Sequence, residues 1–108
     1  MATVQNIVID QGTTFSLNIT LTNDDGTAKD LTSYTPTSQL RKHYSSTTAT
    51  DFTVAKVDNT GEITLSLSAT QTAGLKEGRY VYDVEIASSS ETLRVLEGLV
   101  TVTPNVTR

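Results

Sequence analysis

The segment Leu75-Lys-Glu-Gly78-Arg-Tyr80-Val-Tyr82-Asp-Val84-Glu-Ile86 constrains the fold more than any other stretch of this chain. A Leu-x-x-Gly-x-Tyr turn runs directly into a strand of alternating character. Tyr80, Tyr82, Val84 and Ile86 share one face, and Val81, Asp83, Glu85 and Ala87 share the other, because strand side chains alternate with a period of two. Such a turn carries an antiparallel sandwich from one sheet to the other, with a tyrosine hydroxyl tying the corner to nearby backbone. Tyr80 is the residue placed to do so.

The same periodicity recurs along the chain. Phe15, Leu17, Ile19 and Leu21 alternate with Ser16, Asn18, Thr20 and Thr22. Ile63, Leu65 and Leu67 alternate with Thr64, Ser66 and Ser68. Strands are expected at 6–10, 15–22, 37–44, 52–57, 63–68, 79–87 and 92–103. Asn23-Asp24-Asp25-Gly26 and Asp58-Asn59-Thr60-Gly61 read as turns, the second closing a hairpin. Ser68-Ala-Thr-Gln71 fits a capping box, so one helical turn is expected from Ala69 to about Gly74. The alternation in the last strand changes phase near Glu97-Gly98, which places a bulge there.

Threonine makes up roughly a fifth of the residues, and its β-branched side chain suits a half-exposed strand surface. The expected fold is therefore all-β, an immunoglobulin-like antiparallel sandwich of about seven strands with one short helical turn. It occupies residues 1–108 as a single domain, with short terminal arms at the first few residues and at 105–108. The expected core is Phe15, Leu17, Ile19, Leu40, Phe52, Ile63, Leu65, Leu67, Leu75, Tyr80, Val84 and Val100.

Chemistry is harder to find. The chain has no cysteine, so it forms neither a disulfide nor a thiolate metal site. Its apolar runs are far shorter than a membrane span, and its N-terminal residues lack the pattern of a secretory signal. The net charge of −4 argues against nucleic acid and anionic membranes as partners. The single histidine, His43, sits in Arg41-Lys42-His43-Tyr44 and has neither a nucleophile nor further ligands beside it in sequence. It reads as a residue at a strand end. Asp24 and Asp25 read as turn residues, since a calcium loop needs more oxygen ligands at set spacing. Asp83 and Glu85 share the outer face of one strand and read as solubility devices. Asn18 and Asn105 head glycosylation-type triplets, which arise by chance in a threonine-rich chain. No catalytic, cofactor-binding or metal-binding residue is expected, and the chain is expected not to be an enzyme. Tyr34 and Tyr44 are candidates for a glycan- or receptor-binding surface.

Several segments follow one another in a suggestive order. They are Gln11-Gly-Thr-Thr-Phe-Ser-Leu17, Asp25-Gly26, Asp30-Leu-Thr-Ser-Tyr-Thr35, Ser38-Gln-Leu-Arg-Lys42, Gly61-Glu-Ile-Thr-Leu-Ser-Leu67, Gly78-Arg-Tyr-Val-Tyr-Asp-Val84 and Leu96-Glu-Gly-Leu-Val-Thr-Val-Thr-Pro-Asn-Val-Thr-Arg108. The series resembles small structural proteins of tailed bacteriophages, and is similar to the N-terminal sandwich domain of phage upper-baseplate proteins. Ser33 stands where those proteins commonly have Gly, and Pro36 after that turn is not typical of them. Both departures are expected to fall in a loop. The resemblance implies a virion component made in the host cytoplasm, without cofactors. Its implied partners are other virion proteins of the tail, baseplate or capsid, in a multi-copy symmetric assembly. A capsid decoration or cement protein is the nearest alternative.

Overall fold

The computed structural model describes residues 3–23, 25–47 and 49–106. Nine strand segments and one helix follow in order: β1 Thr3–Val4, β2 Ile7–Asp10, β3 Phe15–Thr20, β4 Thr35–Arg41, β5 Thr50–Asp51, β6 Thr53–Val57, β7 Glu62–Leu67, α1 Ala69–Ala73, β8 Gly78–Ala87 and β9 Thr92–Thr103. They form two sheets packed as a sandwich. The larger has the order β1-β9-β8-β4-β5, with β2 also on β9, and the smaller has the order β3-β7-β6. This division, with an N-terminal strand parallel to the last one, is the immunoglobulin-like arrangement.

The nine segments reduce to the expected seven strands for two physical reasons. First, β1 and β2 are one edge strand in a single continuous register, Thr3 opposite Leu96 and Ile7 opposite Val100. Gln5 and Asn6 interrupt its regular geometry but not its attachment. The Gln5 amide donates to the Glu97 carbonyl at 2.9 Å, and the Leu99 amide donates to Asn6 Oδ1 at 3.1 Å. Second, β5 pairs with β4 while β6 pairs with β7, so the chain changes sheet between them at Phe52. Phe52 is buried at that switch, and its amide donates to the Ser38 carbonyl.

The core lies between the sheets. Leu65, Leu67, Ile63 and Ile19 meet Leu40, Val84, Ile86, Val100 and Val102. Of the expected core, Phe15, Leu17 and Tyr80 are only half-buried, packed against its margin. Ile7, Ile9, Leu31, Tyr82, Ile86, Leu96 and Val102 are buried in addition. Leu31 is the least anticipated, since it stands in a polar connection. Lys56 explains it: its ammonium donates to the carbonyls of Leu31 and Tyr34 at 2.8 and 2.9 Å and pairs with Asp58 at 2.9 Å. This clamp holds the β3–β4 crossover down on the β6–β7 hairpin and so covers Leu31.

The corner before β8 is built as expected. Tyr80 donates its hydroxyl to the Lys76 carbonyl at 2.8 Å, and Lys42 lies over its ring with 4.8 Å from ammonium to centroid. The capping box on α1 is also present, Ser68 and Gln71 each accepting the other's amide. Thr72, fully buried, ties this helix to the turn after β2 through the Thr13 carbonyl at 2.7 Å.

Several expectations are corrected. The third strand begins at Thr35 and stops at Arg41, because Ser46 turns the chain: its amide donates to the His43 carbonyl and its hydroxyl accepts from the His43 amide. Pro36 therefore lies in β4, opposite Ile86, rather than in a loop. It is tolerated there because β5 pairs only with Gln39 and Leu40 and leaves the start of β4 as an open edge, where no amide is needed. The bulge sits at Val95, since Val84 faces Leu96 and Glu85 faces Arg94. Gly98 has a different task. Any Cβ there would lie 2.2 Å from the Gln5 carbonyl oxygen, and Tyr82, its cross-strand partner, donates its hydroxyl to that same oxygen at 2.6 Å. Two of the segments expected in the terminal arms are attached to the rest of the fold. Thr3–Val4 pairs with β9, and the Asn105 amide donates to Gln11 Oε1.

Candidate functional site

The outer face of the larger sheet gathers four of the residues singled out in the sequence, Arg41, Asp83, Glu85 and, at its margin, Tyr44. In β4, Ser38 and Leu40 point inward, as do Tyr82, Val84 and Ile86 in β8. Their neighbours must then point outward. The register sets these neighbours in rows across β4, β8 and β9: Thr37–Glu85–Arg94, Gln39–Asp83–Glu97 and Arg41–Val81–Leu99.

Arg94 organises the first two rows. Its guanidinium lies 3.3 Å from Asp83, 4.0 Å from Glu85 and 3.8 Å from Glu97. Asp83 and Glu85 are thus partners of one arginine. Arg41 is held separately, donating to the Ser46 carbonyl at 2.7 Å and to Gln39 Oε1 at 3.0 Å. Gln39 in turn donates to Asp51 at 2.7 Å. The result is a groove of about 290 Å³ with ordered planar side chains on its floor. Tyr44 stands at its margin, 79% exposed. A second groove, of about 330 Å³, is lined by Tyr44 together with Val81, Leu99 and Arg79.

The remaining candidates are dispersed. Arg41, Lys42 and His43 do not act as one basic patch, for Lys42 is over Tyr80 and His43 is fixed through its backbone to Ser46. Asp25 is a turn residue: its carboxylate accepts from both the hydroxyl and the amide of Thr27, and these bonds hold its pKa below the usual carboxylate value. Asp24 lies outside the described residues. Tyr34 and Tyr44 are not brought together, since one precedes β4 and the other follows it. Tyr34 is already engaged, its hydroxyl bonded to Glu91 and its ring beneath Lys29. That bond to Glu91 pushes the phenol pKa up. Asn18 is exposed on β3 with its amide toward Glu62, and Asn105 is half-buried beside Gly12.

Among the described residues no group of three or more histidines or acids could hold a metal ion. No helix of the structure is long and apolar enough to cross a membrane. The Arg94 network was not foreseen, because Arg94 is eleven positions from Asp83 and only the β8–β9 register joins them.

No protein family and no curated protein matches the sequence. Solved structures do match the fold. InlP of Listeria monocytogenes superposes with a TM-score of 0.53 over 94% of this chain and 28% of its own, at 15% identity. A family 123 glycoside hydrolase from Clostridium perfringens, active on glycolipid glycans, gives a TM-score of 0.45 at 12% identity, over 97% of this chain and 24% of its own. The chain spans only about a quarter of the length of either protein. At 15% identity the likeness to InlP is one of fold.

Proposed function

We propose that this chain is a non-enzymatic structural module of a tailed-phage virion, an assembly or anchoring piece of the tail or baseplate region. It works through contacts with other virion proteins in a multi-copy assembly. The ordered series of segments from Gln11 to Arg108 supports the placement in a virion by resemblance. The observation that carries the mode of action is the N-terminal edge of the larger sheet.

Sheet edges invite another strand, and proteins that must stay single guard them with charge, proline or brevity. The β4–β5 edge is guarded in this way, by Pro36 and by a cover of two residues, and β6 carries Lys56. The β1–β2 edge has no such guard. From Thr3 to Ile9 it holds neither a charge nor a proline, and it exposes Val4 at 68% and Val8 at 61%. An extended segment of a neighbouring subunit added here would gain backbone hydrogen bonds and cover both valines. Many such weak contacts, repeated around a symmetric particle, add to a strong assembly.

The test is quantitative mass spectrometry of purified virions together with immunogold electron microscopy of the intact particles. Detection at tens of copies or fewer, with label at the tail, is the expected result. Hundreds of copies over the head would make the chain a capsid decoration or cement protein instead. Absence from the particle would overturn the reading.

A further inference from the structure

We propose that the outer face of the larger sheet is a binding site for a neutral oligosaccharide, with Tyr44 as its stacking platform. This inference does not rest on the virion reading, and it stands or falls on the groove alone. Three observations carry it.

The first is Tyr44 itself. An aromatic ring exposed to this degree gains nothing for the fold, and its hydroxyl has no polar partner among the described residues. Tyr44 lines both grooves, so a ligand stacked on its ring is within reach of the side chains of either. The C–H-rich face of a pyranose is such a ligand.

The second is the kind of polar group beside it. Gln39, Arg41, Asp83, Arg94 and Glu97 are planar groups with two donors or acceptors side by side. Vicinal sugar hydroxyls present the matching pair, each able to donate and to accept. These side chains are also held in place before any ligand arrives, by the Arg94 network and by the Arg41–Gln39–Asp51 chain. Ordering them then costs little on binding.

The third is charge. Over the two grooves together Arg41, Lys42, Arg79 and Arg94 face Asp83, Glu85 and Glu97, so the surface around Tyr44 is close to neutral. A protein partner would want a broader apolar centre than Tyr44, Val81 and Leu99 supply.

The experiment is NMR titration of the full chain with neutral oligosaccharides of four to six units (gluco-, xylo-, manno- and chito-series). Each is taken to roughly 10 mM, where even a millimolar site is filled. The expected result is shifts confined to Tyr44, Val81, Asp83, Leu99 and their neighbours for at least one series. Tyr44→Ala should then weaken binding roughly tenfold or more, while Tyr44→Phe retains most of it. Glu97→Gln should weaken binding without loss of folding, because Glu97 is a surface carboxylate. The proposal is overturned if no series shifts these residues, if the shifts fall elsewhere, or if Tyr44→Ala binds as well as the parent. It is equally overturned if only charged ligands bind.

Discussion

Tyr80 and Tyr82 stand two residues apart on one face of β8, yet they close circuits of very different length. The Tyr80 hydroxyl reaches back four residues to Lys76, at a half-exposed corner. The Tyr82 hydroxyl reaches Gln5, seventy-seven residues away, through a gap that exists only because Gly98 has no side chain. Tyr82 is buried where Tyr80 is not, and its ring packs edge-on against Phe52 at 6.2 Å. The corner is a local device that any sandwich can use. The Tyr82–Gly98–Gln5 contact is what fastens the N-terminal edge strand of this one.

The sharpest way to break that contact is Gly98→Ala. The new methyl group would meet a backbone oxygen, which cannot swing aside, so β1 must move off β9. A loss of about 2–3 kcal/mol is expected in urea unfolding. Amides of Gln5 and Ile7 should also lose their hydrogen-exchange protection selectively. Uniform loss across the molecule, or none, would contradict the fastening role.

Tyr82→Phe is gentler and more informative. It keeps the ring but leaves the Gln5 carbonyl without that donor, for a cost of about 1–2 kcal/mol. Burial also pushes the Tyr82 phenol up to about 12 from its ordinary 10. A raised pKa means that the folded state holds this proton more tightly than the unfolded chain does. The stabilisation is complete below pH 10 and is lost as pH climbs from about 10 to 12. Alkaline titration of the unfolding midpoint should therefore fall more steeply in the parent than in the Phe variant. Parallel curves would mean that Tyr82 is not the group responsible.

Tyr80→Phe should have the smallest effect, about 0.5–1 kcal/mol, because its hydroxyl bond is exposed to water. Tyr80→Ala, for which a buried ring would predict about 3 kcal/mol or more, should fall below that figure now that the ring is seen at the core margin. Should Tyr80→Phe prove as damaging as Tyr82→Phe, the contrast between the two tyrosines would collapse.

The difference in circuit length also explains what could be read beforehand. The corner, the capping box of Ser68 and Gln71, and the 58–61 hairpin are encoded within a few residues. Each is visible in a short window of sequence. The strand faces were legible for the same reason, as the alternation from Phe15 to Thr20 and from Glu62 to Leu67 shows. Long-range matters were not. Gly98 reads as a bulge because nothing nearby says that Gln5 will lie against it. Leu31 reads as loop because Lys56, twenty-five residues on, is what lowers the crossover over it. Phe52 marks a strand, but its change of sheet depends on where Ser38 happens to lie. The outer-face groove was half legible: Tyr44, Asp83 and Glu85 were singled out one by one. Arg94, which makes them a single surface, could be placed only through the register of β8 and β9.

The parallel pairing of β1–β2 with β9 also bears on how the chain is made. Asn6 and the strand that receives it are ninety-three residues apart. A ribosome therefore releases the N-terminal segment long before its partner exists. Until β9 emerges, Ile7 and Ile9 have no strand to dock on, although the smaller sheet and the β8-β4-β5 part of the larger one already have all their strands. Chains interrupted before Thr103 would be left with two bare isoleucines and an unpaired strand. Such products are the ones expected to aggregate or to be degraded, while chains that gain the last strand are sealed in one step.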